Sequence, residues 1–136
     1  MYTVTRTERG WAAHFIGASR CGFRRNTLLE CVETSCRIVI STVGNYRDFS
    51  GDCLSIGFNR YYETMAFYVE FDGEYIEADV SRKIPFNSKW FISQDEYVAN
   101  KGSIDNKAND MHENVVKELY TRLVTCSLVD TKRINP

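Results

Sequence analysis

The dipeptide Asp72-Gly73 restricts the possible folds of this chain more than any other feature of its sequence. It lies between two runs, 60–71 and 74–85, in which apolar and polar residues alternate. A type I′ turn needs positive φ at both central positions, so Asp-Gly between alternating runs is the strongest short-range hairpin signal. The sequence therefore predicts an antiparallel β-hairpin over residues 60–85.

The predicted two-residue turn also predicts which residues face each other. Phe71 would pair with Glu74, and the ladder would end with Glu63 opposite Arg82. The apolar face would carry Met65, Phe67, Val69, Phe71, Ile76, Ala78 and Val80. The other face would carry Tyr62, Thr64, Tyr68, Glu70, Glu77 and Asp79. Exposed faces that are half aromatic often meet another subunit, so this second face predicts a homo-oligomer.

Residues 105–126 form the clearest helical pattern, because apolar side chains recur every three or four positions along one face. These side chains belong to Ala108, Met111, Val115, Leu119, Leu123 and Cys126. Ser93 followed by Glu96 is a capping-box pattern, which predicts a second, short helix over residues 94–99.

Three further segments predict strands. Residues 36–43 are dense in β-branched side chains, and residues 23–31 add a second candidate strand. Residues 2–16 have the pattern of strand, turn and strand. Together with the hairpin and the helix they predict an α+β fold, an antiparallel β-sheet followed by a C-terminal amphipathic α-helix, in a single domain over 1–136.

Charge and composition exclude several classes of partner. The net charge of −1 argues against binding to duplex nucleic acid, which requires a basic excess. No apolar run reaches the roughly 18 residues of a membrane helix, and the N-terminus has no signal-peptide core. The five cysteines are an odd number, so structural disulfides are not expected. The sequence predicts a cytoplasmic protein.

The candidate catalytic and metal-binding residues do not complete any motif. His112-Glu113 begins like a zinc-protease motif, but position 116 is Val rather than His. No pair of cysteines has the C-x-x-C spacing of a structural zinc site. We therefore predict no catalytic residue, no metal and no cofactor, and we expect His112 at the boundary of the core.

A first candidate binding site lies in Arg24, Arg25, Asn26 and Thr27. Arginine offers a planar fork of donors to a phosphate, and the amide and hydroxyl can add hydrogen bonds. All eight basic residues of 1–60 are arginines, against five acids, which favours an anionic ligand in this half. Solvated charges at a strand end, together with a lineage bias toward arginine, would explain the same pattern.

A second candidate binding site lies in the stretch 58–63. Its aromatic residues, Tyr61 among them, could stack a base while Arg60 holds a phosphate. Aromatic packing across strands with an Arg–Glu pair is the alternative interpretation. Trp90 is a third candidate, because indole rings often anchor ligands and interfaces but also fill cores.

Four segments suggest a family. They are Gly10-Trp11-Ala12-Ala13-His14-Phe15, Phe23-Arg24-Arg25-Asn26-Thr27-Leu28-Leu29-Glu30, Arg60-Tyr61-Tyr62-Glu63-Thr64-Met65-Ala66-Phe67 and Asn109-Asp110-Met111-His112-Glu113. They look like small phage or prophage proteins, and the overall plan resembles the Thoeris anti-defence proteins. The resemblance implies an N-terminal antiparallel sheet, C-terminal helices, and an oligomer that binds cyclic ADP-ribose isomers or cyclic oligonucleotides between subunits through arginines, an aromatic and an amide.

The expected function is sequestration of a cyclic nucleotide or cyclic ADP-ribose-type immune signal in the cytoplasm of a phage-infected host, without catalysis. The alternative is a small inhibitor of a host defence protein complex, like anti-CRISPR proteins, whose acidic face could mimic nucleic acid.

Overall fold

The computed structural model of this chain describes residues 1–10, 20–48, 50–51, 53–72, 75–85 and 90–130. The predicted strand at the end of 2–16 and the turn residue Gly73 lie outside these ranges.

Seven antiparallel strands and two α-helices make up the described part of the chain. The strands are β1 Val4–Arg9, β2 Cys21–Cys31, β3 Arg37–Arg47, β4 Cys53–Leu54, β5 Tyr62–Asp72, β6 Tyr75–Lys83 and β7 Phe91–Ile92. The helices are α1 Gln94–Ala99 and α2 Ile104–Val124, with the 3-10 turn Lys101–Ser103 between them. The strand order is β1-β2-β3-β5-β6, with β4 paired to β3 and β7 paired to β5. The predicted α+β fold, an antiparallel sheet followed by a C-terminal helix, is confirmed.

The centre of the sheet is buried on both faces. On β3, Ile38 and Ile40 lie on the face that α2 covers, where both are fully buried. Val39, between them, is only 1% exposed and packs with Leu28 and Val69 on the opposite face. Dense β-branched side chains favour such a strand because they pack well on both sides of a pleated backbone.

Helix α2 packs its apolar stripe on one face of the sheet. Leu119 and Leu123 are fully buried in the main core cluster, together with Val115. The helix ends at Val124, two residues before the predicted end, because Cys126 adopts a left-handed φ of 60° and is exposed. None of the helices in the described ranges is long and apolar enough to span a membrane.

The short helix α1 begins as the capping-box pattern predicts. The side chain of Ser93 accepts a hydrogen bond from the backbone nitrogen of Glu96 at 3.3 Å. This bond satisfies one of the donors that the first helical turn leaves unpaired.

The hairpin of β5 and β6 exists, but the predicted register is wrong by two residues. Phe71 faces Ile76 and Val69 faces Ala78. A shift of two residues keeps every side chain on its predicted face, so hydrophobic alternation cannot distinguish the two registers. The turn preference of Asp72-Gly73 therefore predicted a pairing that differs from the observed one by one residue on each strand.

A bulge in β6 changes the pairing further from the turn. The register of the two strands shifts between Val69 and Phe67, so that Phe67 faces Lys83. The carboxylate of Asp79 accepts hydrogen bonds from Ser81 N at 3.1 Å and Arg82 Nε at 2.9 Å, which stabilise the extra residues. Arg82 also pairs with Asp130 rather than with Glu63, at 2.6 Å. Val80, predicted in the apolar face, is 64% exposed.

Helix α2 covers the face of β5 that the sequence predicted to be uncovered. Tyr62 is fully buried beside Ile104, Ala108 and Met111 of α2, and its hydroxyl donates to Asp105 Oδ1 at 2.9 Å. The part of that face around Tyr62 and Thr64 is therefore unavailable for the predicted subunit contact. The mistake arose because Tyr and Thr on an interior strand resemble a polar surface, although their polar atoms find partners inside the protein.

Candidate functional site

A chain of hydrogen-bonded side chains runs between α2 and the sheet. The hydroxyls of Thr64 and Thr42 lie 2.6 Å apart, and Thr42 lies 2.6 Å from His112 Nδ1. On the other side of the ring, His112 Nε2 lies 2.7 Å from the Thr27 hydroxyl, which donates to Glu8 at 2.9 Å. His112 is fully buried, so the sequence-based expectation of a boundary position is wrong.

The direction of these hydrogen bonds fixes the state of the imidazole. Because the Thr27 hydroxyl donates its proton to Glu8, its oxygen must accept a hydrogen bond from His112 Nε2–H. Nδ1 is then the unprotonated nitrogen and accepts from Thr42. Burial, with a contribution from the Arg25 charge, lowers the pKa of His112 to about 4, so the ring is neutral at physiological pH.

Four charged side chains close the solvent end of this chain. Arg6 makes two bonds of 2.8 Å to Glu113, and Arg25 reaches both Glu113 and Glu8 at 3.1 Å. Hydrogen bonding by Arg6 lowers the pKa of Glu113 to about 2. Partial burial works to raise the pKa of Glu8, but the hydrogen bonds from Arg6, Thr27 and Arg25 hold it below its usual value. The two arginines and two glutamates balance in charge and tie α2 to β1 and β2.

A second group of side chains, the arginine–tyrosine end, lies where β3 ends and β5 begins. It consists of Arg47, Phe58, Arg60, Tyr61, Phe91, Tyr97 and Lys101. The rings of Tyr61 and Tyr97 stack with centroids 4.9 Å apart and an interplanar angle of 23°. Lys101 Nζ lies 5.9 Å from the centroid of Tyr97. A hydrogen bond with Cys53 raises the pKa of Tyr97, whereas the charge of Arg47 lowers it.

Arg60 contacts Phe91 and Glu63, which are paired with each other across β7 and β5. Its guanidinium lies 5.3 Å from the centroid of Phe91, a distance suited to a cation–π contact. Its Nη1 donates to Glu63 at 3.2 Å, and its side chain is 36% exposed. Arg60 is therefore held in place while part of its guanidinium remains accessible to solvent.

The turn before Arg60 presents an aromatic ring to solvent. Ile56 N donates to the Arg60 carbonyl at 2.7 Å, and Arg60 N donates to the Gly57 carbonyl at 3.2 Å. Asn59 adopts a left-handed φ of 53°, and its side chain accepts from Gln94 N at 3.1 Å. These bonds fix the turn, while the ring of Phe58 at its tip is 97% exposed.

The structure brings together some of the predicted site residues and separates others. Arg60 and Tyr61 belong to the arginine–tyrosine end. Arg24 lies at the same end of the sheet, since Val43 of β3 pairs with Arg24 on one side and with Glu63 on the other.

The other four predicted site residues lie elsewhere. Arg25 and Thr27 make the intramolecular contacts around Glu8 already described. Asn26, on the opposite face of β2, is 2% exposed, and Trp90 is 4% exposed in the main core. These positions do not form one binding surface with Arg60.

Sequence reasoning missed several members of both groups. Arg47 and Tyr97 carry no motif, and only the tertiary structure brings Arg47 near Tyr97 and stacks Tyr97 on Tyr61. His112 was considered as a metal ligand and placed at the boundary of the core rather than inside it. The spacing of Ala108, Met111 and Val115 on the apolar stripe could have indicated that it faces the sheet.

Comparisons with protein-family models, with curated proteins and with solved structures found no match. The resemblance to the Thoeris anti-defence proteins thus rests only on the segments that suggested it. Within the described ranges no group of three or more His, Cys, Asp or Glu side chains could hold a metal ion.

Proposed function

We propose that this protein binds a phosphate-bearing nucleotide signal, of the cyclic nucleotide or cyclic ADP-ribose type, and sequesters it without cleaving it. The observation that carries the proposal is the arginine–tyrosine end, where Arg60 lies over the ring of Phe91 and where Lys101 and Arg47 lie near the stacked rings of Tyr97 and Tyr61. A nucleotide combines an anionic phosphate with a flat base, and these are the two chemistries that such a surface binds.

The cations of this end suit a phosphate. Arg60 Nη1 donates to the buried Glu63 at 3.2 Å, while 36% of the Arg60 side chain remains exposed and can donate to a further acceptor such as phosphate. A phosphate offers more charge and more acceptor oxygens than a carboxylate. Arg47 and Lys101 lie near Tyr97, so they add positive potential around the same rings.

The aromatic rings suit a base. Phe58 is 97% exposed on a turn that backbone hydrogen bonds hold, so stacking on it costs little conformational entropy. Stacking of a base on an aromatic side chain contributes about 1–3 kcal/mol. Tyr61, three residues further along the chain, stacks on Tyr97 and offers a second pair of rings.

Binding without cleavage is supported by the position of His112. Both of its ring nitrogens are engaged with threonines and the side chain is fully buried, so it cannot reach a substrate. A general base must come within hydrogen-bond reach of the proton that it removes.

The biological setting is also part of the proposal. The resemblance to anti-defence proteins supplies a phage-encoded inhibitor in the cytoplasm of an infected cell, acting as a homo-oligomer. The oligomer would contact through a surface other than the buried face of β5.

Ligand titration followed by ligand recovery tests this function. The protein is titrated by calorimetry with cyclic dinucleotides and cyclic ADP-ribose isomers, and the complex is then denatured by heat. We expect saturable binding and release of intact ligand, whereas a cleaved product or no binding by any of these compounds would contradict the proposal.

Two matched substitutions locate the site. Phe58→Ala should weaken binding by about tenfold, because it removes one stacking contact of about 1–3 kcal/mol. Val32→Ala is the control, since Val32 is also exposed, at 61%, but lies in the turn at the other end of β2. Equal affinity of the two variants would exclude the arginine–tyrosine end as the site.

Inhibition of a host defence protein is the second candidate function. It is favoured by the exposed apolar side chains of this region, Phe58 at 97% and Leu54 at 37%. Exposed aromatic residues on rigid turns are also anchors of protein interfaces. This function predicts a stable complex with a host protein that Phe58→Ala disrupts, and no change of melting temperature with any nucleotide.

A further inference from the structure

Two cysteines face each other across β2 and β3. The register that pairs Glu30 with Arg37 continues by one residue to Cys31 and Cys36. The backbone nitrogen of Cys31 donates to the Cys36 carbonyl oxygen at 2.8 Å, so the two residues are directly opposed. They lie at the end of the hairpin that is closed by residues 32–35.

The placement of this pair is compatible with a disulfide. Both side chains belong to the main core cluster, so they point to the same face of the sheet. Directly opposed residues of antiparallel strands have Cα atoms about 4.5–5.5 Å apart. Disulfides span Cα separations of about 4.4–6.8 Å, so a bond between Cys31 and Cys36 requires no movement of the strands past each other.

We propose that Cys31 and Cys36 are a redox modification site, at which a peroxide converts the two thiols into an intramolecular disulfide. One thiolate attacks a peroxide oxygen, which forms a sulfenic acid and releases hydroxide. The second thiol attacks that sulfur, so the S–S bond forms and water leaves. In balance, two thiols and one hydrogen peroxide give one disulfide and two waters.

The surroundings of the pair select the oxidant. Cys31 is 2% exposed and Cys36 is fully buried, so an oxidant reaches them only when the hairpin end opens, and a small oxidant needs the smallest opening. The adjacent turn is exposed, with Val32 at 61%, and ends of this kind open locally at a small cost in free energy. Hydrogen peroxide is small enough to enter through such an opening.

None of the other three cysteines faces this pair, since Cys21 pairs with Tyr46, Cys53 pairs with Arg47 and Cys126 follows α2. Cys126 is exposed and on a different element, so it is the thiol that an external reagent meets first. Any assay must therefore separate the pair from Cys126.

Peptide mapping provides that separation. Trypsin cleaves after Arg25 and Arg37, so one peptide, Asn26–Arg37, carries both cysteines of the pair and none of the others. The folded protein is treated with hydrogen peroxide, denatured, alkylated with iodoacetamide and digested. We expect this peptide to carry no alkyl group and to weigh two hydrogens less than its dithiol form, and to take up two alkyl groups after reduction with dithiothreitol and renewed alkylation.

Single substitutions complete the test. Cys126→Ser should form the disulfide as the unaltered protein does, whereas Cys36→Ser should leave Cys31 without a partner in the peptide. A peptide that keeps both alkyl groups while Cys126 is oxidised would overturn the proposal, as would sulfinic acids on the pair. If Cys36→Ser does not fold, the peptide from Cys126→Ser alone still shows whether the disulfide between Cys31 and Cys36 forms.

A thermal measurement tests whether the bond closes the native hairpin. A disulfide across a short loop restricts the unfolded chain, so the oxidised Cys126→Ser protein should melt about 5 °C above its reduced form. A lower melting temperature after disulfide formation would show that the bond joins the pair only in a distorted structure, and would overturn the proposed site.

Discussion

At the scale of single residues, His112 shows how a polar group becomes part of a core. It is fully buried, yet each ring nitrogen lies within 2.7 Å of a threonine hydroxyl. An unpaired polar group in the same place would cost about 1–3 kcal/mol. The threonines of three strands therefore hold α2 in one position along the sheet.

Thr42→Val tests how much these hydrogen bonds contribute to the free energy of unfolding. The substitution keeps the shape of the side chain but leaves His112 Nδ1 and the Thr64 hydroxyl without their partner. We expect urea unfolding to show a loss of about 1–3 kcal/mol in the free energy of unfolding. Thr5→Val, at an exposed strand position, is the control and should change it by less than about 0.5 kcal/mol.

The pH dependence of stability should reveal the same histidine. The pKa of His112 is about 4 in the folded protein, against 6.5 for an unperturbed histidine, so only the unfolded chain takes up this proton between those values. The free energy of unfolding should therefore fall as pH drops from about 6.5 to 4, by up to about 3 kcal/mol. Urea unfolding at a series of pH values should show a smaller change of the free energy of unfolding with pH in His112→Gln. An unchanged pH dependence would contradict the lowered pKa of His112.

Gly44 is required by the ring that lies opposite to it. Its partner across the strands is Tyr62, and a Cβ at position 44 would stand 2.1 Å from that ring. Gly44→Ala should therefore destabilise the protein by about 1–3 kcal/mol, as overpacked cores do. Gly102→Ala is the control, because a Cβ there meets nothing within 4 Å. Equal melting temperatures of the two variants would refute this packing.

At the scale of elements, the strength of a pattern decided how well it predicted the structure. The stripe of α2 and the cap of α1 were predicted correctly, because helical periodicity and capping depend on neighbours in sequence. The pairing of β5 with β6 was not, because the local preference of Asp72-Gly73 competes with the bulge that Asp79 and Arg82 stabilise.

Two valines on the same predicted face separate the observed register from the predicted one. Val69 is 2% exposed, whereas Val80 is 64% exposed beyond the bulge. Val69→Ala should lower the free energy of unfolding by about 2 kcal/mol, and Val80→Ala by less than about 0.5 kcal/mol. Similar losses in chemical denaturation would favour the regular ladder that the sequence predicts.

At the scale of the whole molecule, the two proposed sites lie at opposite ends of the sheet. The arginine–tyrosine end adjoins the start of β2, and Cys31 is the last residue of the same strand. An extended strand rises about 3.3 Å per residue, so the 11 residues of β2 place these ends roughly 30 Å apart.

Oxidation of the cysteine pair should therefore leave nucleotide binding unchanged. We expect calorimetric dissociation constants of the reduced and oxidised protein to agree within about twofold, because distant sites without a shared two-state element are energetically independent. A larger difference would mean that the hairpin transmits a change along the sheet.

The sequence by itself determined the α+β class, the two helices and the central strands, since each depends on periodicity or on a local cap. It also placed Arg60 and Tyr61 in one candidate site, because they are adjacent in the chain. Only the tertiary structure decided that α2 covers the Tyr62 face, and that Arg25 and Thr27 serve the fold. The physical reason is that burial and hydrogen-bond partners arise between residues distant in sequence, as the 85 positions between Thr27 and His112 illustrate.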